Sequence, residues 1–146
     1  TMDGLLGTLA ADFDNVNDLR LRLVNKTPRY GNDDEYADRI MMRVFDALHA
    51  SIDGRPNTKG GEYHIDMLPT TCHVYFGSVT GATPDGRQAW LPLSEGISPV
   101  QGADRKGPTA VMNSAAKMDH LRTGGTLLNA ELLASRDLIP RRGSLP

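Results

Sequence analysis

The chain has 146 residues, of which 39% are hydrophobic, so it lies in the usual size range of one domain and has enough apolar side chains for a core. Its 16 Lys and Arg against 18 Asp and Glu give a net charge of -2, which leaves no field that would favour nucleic acid or an anionic membrane as a partner. Cys72 is the only cysteine, which excludes an internal disulfide and disfavours a zinc site built on cysteines.

The beginning of the chain shows no targeting signal, because no basic region is followed by a sustained apolar stretch. No segment approaches the roughly 18 apolar residues that would span a bilayer. Cytoplasm is therefore the default expectation for location. The sequence starts at Thr1 within a helical pattern, from which we expect a piece of a longer protein.

Two short helices are predicted first. One covers residues 5–13, where apolar side chains recur at helical spacing despite Gly7, and the other covers residues 16–24 and is ended by Pro28. We expect the two to pack as a pair.

A longer amphipathic helix is predicted from Asn32, whose side chain would cap it while Glu35 reaches back in a capping box. Gly54 and Pro56 end it. One apolar stripe, expected to face the core, comprises Tyr36, Ile40, Met41, Val44, Phe45, Leu48 and Ile52.

Residues 72–79 read as a strand that is apolar on both faces and hence buried on both sides. Residues 80–110 are rich in turn formers, and Thr83 to Gly86 suit a type I turn. Shorter elements are an extended segment at 62–65, a helical or mixed element at 109–121 and a strand at 126–129. Residues 130–146 end in a stretch predicted to be disordered. The sequence shows no linker between two domains.

Cys72 and the histidines give weak signals for chemistry. The four histidines are His49, His64, His73 and His120, and no two stand four apart on a helix, so no metal site is predicted. For His73 a core histidine with a hydrogen-bond partner is favoured over a titrating group. For Cys72 a small buried residue is favoured over a nucleophile, because no activating partner is evident.

Four charged residues in the turn-rich region, Asp85, Arg87, Asp104 and Arg105, are interpreted as groups that pair with each other or with backbone, ahead of a catalytic role. Thr70 and Thr71 follow Pro69 and offer hydroxyls to a polar substrate. The glycine pairs match neither a Walker loop nor a Rossmann fingerprint, and are interpreted as turn residues.

Several segments in unbroken order over residues 1–129 resemble the pyruvate formate-lyase and dehydratase superfamily of glycyl radical enzymes. They include Asn25-Lys-Thr-Pro-Arg-Tyr-Gly-Asn-Asp33, Gly60-Gly61, Tyr75-Phe-Gly-Ser-Val-Thr-Gly-Ala-Thr-Pro-Asp-Gly-Arg87, Ser98-Pro-Val-Gln-Gly102, Gly107-Pro-Thr-Ala110, Lys117-Met-Asp-His120 and Gly125-Thr-Leu-Leu-Asn129. Two further segments are most similar to the trans-4-hydroxy-L-proline dehydratase branch, with glycerol and propanediol dehydratases next. They are Met67-Leu-Pro-Thr-Thr-Cys-His73 and Arg122-Thr-Gly-Gly-Thr126.

The resemblance implies an α/β fold in which this chain forms part of a ten-stranded barrel, with helices, a few strands and long ordered loops. It implies a parent enzyme, a homodimer, that carries a glycyl radical installed by an S-adenosylmethionine iron-sulfur activating enzyme and acts on a small molecule. Leu68 and Thr70 fall where relatives line the substrate pocket. By the same resemblance, the Thr83–Arg87 turn and the 107–110 segment are expected to shape the barrel mouth.

The family's Gly-Cys-x-Glu and Arg-Val-x-Gly-Tyr motifs do not occur in this sequence, and Cys72 does not match the thiyl position. We therefore assign no catalytic, cofactor-binding or metal-binding residue to this chain. Residues 1–129 are expected to be a partial barrel domain and residues 130–146 an unmatched tail, as a truncated or frameshifted reading frame would give.

The expected function is that of a fragment, inactive alone, of a radical lyase that eliminates water from trans-4-hydroxy-L-proline. The alternatives are a fragment of a formate acetyltransferase or of a diol dehydratase, or a non-catalytic interaction subunit. An interaction subunit would behave as a cooperative folded monomer, whereas a fragment would aggregate or remain molten.

Overall fold

A computed structural model describes residues 1–67 and 72–124. Within these ranges the chain forms five α-helices and one short 3-10 helix, and it contains no β-strand. In chain order they are α1 Met2–Ala10, α2 Asn17–Lys26, α3 Glu35–Ile52, α4 Cys72–Ser78, α5 Pro108–Ala116 and the 3-10 helix His120–Arg122. No helix in the described part of the chain is long and apolar enough to cross a membrane.

The two predicted N-terminal helices are present as α1 and α2. Thr1 caps α1 by accepting a hydrogen bond from the Gly4 backbone N–H at 3.2 Å. α2 ends at Lys26, and Thr27 takes up extended backbone before Pro28. Neither helix has a buried side chain, so the predicted packing of α1 on α2 buries no residue of either.

The long helix α3 is also confirmed, but its predicted cap is wrong. Asp34, not Asn32, caps it, because the Asp34 carboxylate accepts the backbone N–H groups of Tyr36 and Ala37, both at 3.1 Å. The helix ends as predicted before Gly54, which takes a left-handed conformation with φ of +72°.

The predicted strand at residues 72–79 is wrong, since residues 72–78 form α4. A strand needs neighbouring strands to satisfy its backbone, whereas a helix satisfies its own, and no strand lies beside this segment in the described ranges. The apolar run is not buried on two sides either, because Val74, Tyr75 and Phe76 are 51–65% exposed. Strands of the expected barrel are thus not shown by the described residues.

The segment predicted to be extended at 62–65 makes a small antiparallel pairing. Pro56 and Glu62 form an isolated bridge, and Tyr63 donates its backbone N–H to the Arg55 carbonyl at 2.8 Å. The predicted strand at 126–129 and the predicted tail at 130–146 lie outside the described residues.

The core joins α3, α5 and the segments before residue 68 and around residue 97. Its buried members are Phe45, Met67, Ile97, Ala115 and Met118, with Tyr30, Met41, Met42 and Ile65 packed against them. These side chains are far apart in the sequence, so their burial folds the turn-rich stretch back onto α3.

The apolar stripe of α3 is only partly in this core. Phe45 is buried and Met41 is half-buried, which confirms part of the prediction. The remaining five residues form what we call the outer face of α3: Tyr36, Ile40, Val44, Leu48 and Ile52. Each of the five is at least 38% exposed, so the expectation that the whole stripe faces the core is wrong for this chain.

Candidate functional site

The predicted substrate residues Leu68 and Thr70 lie outside the described residues, but the structure shows what flanks them. Met67, immediately before them, is 8% exposed and belongs to the core. Two positions earlier, the Ile65 carbonyl accepts the Gly124 backbone N–H at 3.2 Å. The chain that leads into the predicted pocket wall is therefore fixed by packing and by a backbone hydrogen bond.

The turn predicted at Thr83 to Gly86 is confirmed. The Gly86 backbone N–H donates to the Thr83 carbonyl at 3.0 Å, and Thr83 in turn donates to the Arg87 carbonyl at 3.0 Å. Gly86 has φ of +93°, and a Cβ at this position would lie 2.6 Å from Val24 Cγ2 of α2. A glycine is thus required both by the backbone conformation and by the close approach of α2.

Arg87 serves as a structural clamp, as the sequence indicated. The residue is 8% exposed, and its guanidinium donates to the backbone carbonyls of Gly81, of Gln88 at 3.1 Å and of Leu91 at 2.7 Å. Because a guanidinium offers several donors in a fixed plane, one side chain holds both ends of this loop together.

Arg29 binds the same turn from the other side, although no local sequence pattern indicates this contact. Its guanidinium donates to the Asp85 carbonyl oxygen and lies 3.4 Å from Asp85 Oδ2, and it also contacts the Leu23 carbonyl at 3.4 Å. Asp85 additionally accepts the Thr83 hydroxyl. The predicted structural role of Asp85 is confirmed, while its partner stands 56 residues away in the sequence.

Two cavities adjoin the turn at Asp85. One, of about 350 Å³, lies between the loops around residues 28 and 98, and its lining includes Tyr30, Met41 and Val100. The other, of about 210 Å³, is lined in part by Arg29 and Arg87. Both arginines already donate to protein oxygens, so they hold the walls of the cavities together. The described residues contain no group of three side chains able to hold a metal ion.

A buried carboxylate, Asp38, lies at the junction of α3 and α5, and sequence reasoning missed it. Asp38 is 1% exposed, and its Oδ2 accepts the Ser114 hydroxyl at 3.0 Å and the Lys117 ammonium at 2.8 Å. Lys117 also donates to Asp33 Oδ1 at 2.8 Å. The arrangement joins the start of α3 to the end of α5 through charge-assisted hydrogen bonds.

Hydrogen bonds and burial shift the pKa values of Asp33, Lys117 and Tyr30. Hydrogen bonds from Lys117 and then from Asn113 lower the pKa of Asp33. Hydrogen bonds to Asp33 and Asp38 raise the pKa of Lys117. Burial, and secondarily the charge of Asp38, raises the pKa of the Tyr30 phenol. Asp33 and Lys117 therefore stay charged around neutral pH, and the Tyr30 phenol stays protonated.

Asn32, predicted as a helix cap, instead holds the loop that precedes α5. Its side-chain amide donates to the Ala103 carbonyl at 2.6 Å, and its oxygen accepts the backbone N–H groups of Arg105 at 2.8 Å and Lys106 at 3.1 Å. The side chain is 8% exposed. These three hydrogen bonds satisfy buried or partly buried backbone groups of the loop that have no partner in a helix or strand.

His73 has the partner that its apolar surroundings suggested. Its Nε2 lies 2.9 Å from Glu95 Oε1, and both side chains are about 14% exposed or less. The predicted partner is therefore present, but His73 is only partly buried and does not belong to the core cluster. The predicted burial of Cys72 is wrong, since this first residue of α4 is exposed.

Comparison with known proteins identifies the family to which the chain belongs. Residues 1–77 match the family described as pyruvate formate lyase-like, and residues 93–138 match the glycine radical family. The chain is 55% identical to trans-4-hydroxy-L-proline dehydratase of Clostridioides difficile over 134 residues, which are 92% of this chain and 17% of that protein. It therefore spans about a sixth of the length of this curated relative.

Two solved structures share the fold. The crystal structure of hydroxyproline dehydratase from Clostridioides difficile, with trans-4-hydroxy-L-proline bound, matches with a TM-score of 0.83 and 57% identity over 88% of this chain and 16% of that one. The glycerol-bound B12-independent glycerol dehydratase from Clostridium butyricum matches with a TM-score of 0.81 and 39% identity over the same shares of the two chains. The chain accordingly belongs to the pyruvate formate lyase-like family of glycyl radical enzymes.

Proposed function

We propose that this chain is a segment of a glycyl radical dehydratase that eliminates water from trans-4-hydroxy-L-proline. The observation that carries the proposal is the 55% identity to a hydroxyproline dehydratase over 92% of the chain. Identity to the glycerol dehydratase of similar fold is lower, at 39%. A diol dehydratase is the second candidate, supported by that structural match with a TM-score of 0.81.

The role of the segment is to build and hold part of the substrate pocket. Leu68 and Thr70 are the proposed substrate contacts, and they stand between the core residue Met67 and the start of α4. The Arg87 clamp holds the loop that follows α4. Fixed flanks on both sides would keep the pocket wall in one position, and precise positioning is what such a reaction needs from residues that do not react.

No chemical step is assigned to the residues of this chain, because its sequence holds neither family motif of the radical site. In the complete enzyme, a glycyl radical installed by an S-adenosylmethionine iron-sulfur enzyme would supply the hydrogen-abstracting chemistry. We further propose that the complete enzyme is a cytoplasmic homodimer of anaerobic metabolism, in line with the family resemblance.

A full-length chimera tests this function. In the Clostridioides difficile dehydratase, the matched 134 residues are replaced by the corresponding residues of this chain. After anaerobic activation we expect the chimera to consume trans-4-hydroxy-L-proline with kcat/KM within about tenfold of the unmodified enzyme. A folded chimera that carries the radical, as seen by electron paramagnetic resonance, but leaves hydroxyproline unchanged would refute the proposal.

Thr70→Val in the chimera tests the predicted substrate contact. Valine keeps the shape of the side chain and removes its hydroxyl, so we expect KM for hydroxyproline to rise roughly tenfold with the radical yield unchanged. Thr58→Val, in the exposed loop after α3, is the matched control and should leave KM unchanged. Equal KM values in the two variants would show that the Thr70 hydroxyl does not contact the substrate.

A further inference from the structure

We propose that the outer face of α3 is the surface on which this chain packs against the remainder of a glycyl radical enzyme. This inference rests on the proposed function, and it adds the contact surface and its occupant. The face consists of five apolar side chains at every fourth position of an 18-residue helix, so it is a continuous strip along the helix.

The strip differs from both other sides of α3. One neighbouring side, with Ala37 and Phe45, is buried in the core of this chain. The other side carries charged residues such as Arg39 and Asp46, which are 65% and 59% exposed in their side chains. A helix on the surface of a soluble protein normally has one apolar side and one polar side. The third side of α3 is apolar and exposed, which marks it as a contact surface.

The degree of exposure is large for residues of these types. Tyr36 is 68% exposed, Val44 51%, Leu48 50% and Ile40 45%. Four large apolar side chains in one row would keep their contact with water in the isolated chain. Burying the row against another apolar surface is therefore strongly favourable.

The occupant follows from the comparisons. The same arrangement of helices, at a TM-score of 0.83, forms only 16% of the solved hydroxyproline dehydratase chain. Exposed apolar side chains also occur on α4, where Val74, Tyr75 and Phe76 are 51–65% exposed. The matched part is a small share of that chain, so most of the enzyme remains to cover the exposed side chains of both helices. The remainder of the enzyme is thus the occupant that accounts for both.

The test compares Ile40→Asp with Arg43→Asp, which lies on the neighbouring charged side of α3 and is exposed. Both substitutions are made in the chimera and in the isolated chain. In the chimera we expect Ile40→Asp to lower the melting temperature by about 1–4 °C relative to Arg43→Asp, because a charge would be placed in an apolar contact of a large protein. In the isolated chain, circular dichroism and hydrodynamic radius should not distinguish the two variants.

Three results would overturn the proposal. Equal melting temperatures of the two chimera variants would mean that the outer face is free surface. Loss of helical circular dichroism in the isolated chain on Ile40→Asp, but not on Arg43→Asp, would mean that residues of this chain cover the face. A dimer of the isolated chain that Ile40→Asp dissociates would assign the face to a second copy.

The readout is melting, so it is independent of turnover and separates failure of this inference from failure of the proposed function. If the chimera does not fold, the Ile40→Asp and Arg43→Asp changes are made at the equivalent positions of the unmodified Clostridioides difficile dehydratase. The same comparison of melting temperatures then applies.

Discussion

Asp38 shows how single residues hold this fold together across long sequence distances. Its carboxylate accepts hydrogen bonds from Ser114 and Lys117, which lie 76 and 79 residues further along the chain. Ser114 also accepts the backbone N–H of Asp33 at 2.9 Å through its hydroxyl oxygen. One buried serine is therefore donor to α3 and acceptor from the loop before it.

Ser114→Ala should lower the free energy of unfolding by about 1–3 kcal/mol, because the buried Asp38 carboxylate and the partly buried Asp33 N–H would each lose a partner. Ser51→Ala is the matched control: its hydroxyl donates to the Ala47 carbonyl at 2.7 Å on the exposed part of α3. That change should stay within about 0.5 kcal/mol. Urea unfolding of the chimera, followed by circular dichroism, measures both, and equal effects would contradict a structural role for Ser114.

Residue roles differed in how far they could be predicted from the sequence. Arg87 and Asp85 were identifiable because a compact turn of Pro, Asp and Gly needs local partners. Asn32 was assigned to the wrong partner, since a capping signal is local and its real partners, residues 103–106, are about 70 positions away. Asp38 and Arg29 gave no signal for the same reason.

At the level of elements, one glycine, Gly77, allows the backbone of residues 91–92 to pack closely on α4. A Cβ on Gly77 would come within 2.6 Å of Pro92 Cα and would also meet the Leu91 carbonyl oxygen. The backbone of the segment after the Arg87 clamp thus packs directly on α4. Only a residue without a side chain permits this approach.

Gly77→Ala should destabilise the chain by roughly 2–3 kcal/mol, because the clash is with backbone that cannot move aside cheaply. Gly7→Ala is the control, since a Cβ there has no atom within 4 Å and α1 would gain helix propensity. We expect that change to stabilise by about 0.5–1 kcal/mol. Urea unfolding of the chimera, monitored by circular dichroism, measures both, and a neutral Gly77→Ala would contradict the close packing of α4 on residues 91–92.

Elements were predictable where their signals are local. The helix α3 has periodic apolar residues, an acidic cap and a terminal glycine, and all of these act within a few positions. The segment 72–78 has β-branched and aromatic residues, which favour a strand only where neighbouring strands exist. Its helical form depends on what surrounds it, and the sequence of the segment does not contain that information.

At the scale of the whole molecule, the chain combines a small core with large apolar surfaces. Its buried residues join α3 to α5, while the outer face of α3 and the exposed side of α4 remain in contact with water. The proposed place of the chain in a larger enzyme would account for this combination, and the chain spans only 17% of a curated relative of 55% identity. The fold family was identifiable from the order of its sequence segments, and the exposure of α3 was not.

Substrate choice is the most direct test of the central claim, that this segment belongs to a hydroxyproline dehydratase. The measurement is the ratio of kcat/KM for trans-4-hydroxy-L-proline to kcat/KM for glycerol, made on the activated chimera. We predict a ratio that favours hydroxyproline by at least about a hundredfold, as for a pocket built to bind one polar substrate. A chimera that turns over glycerol as well as or better than hydroxyproline would contradict the claim.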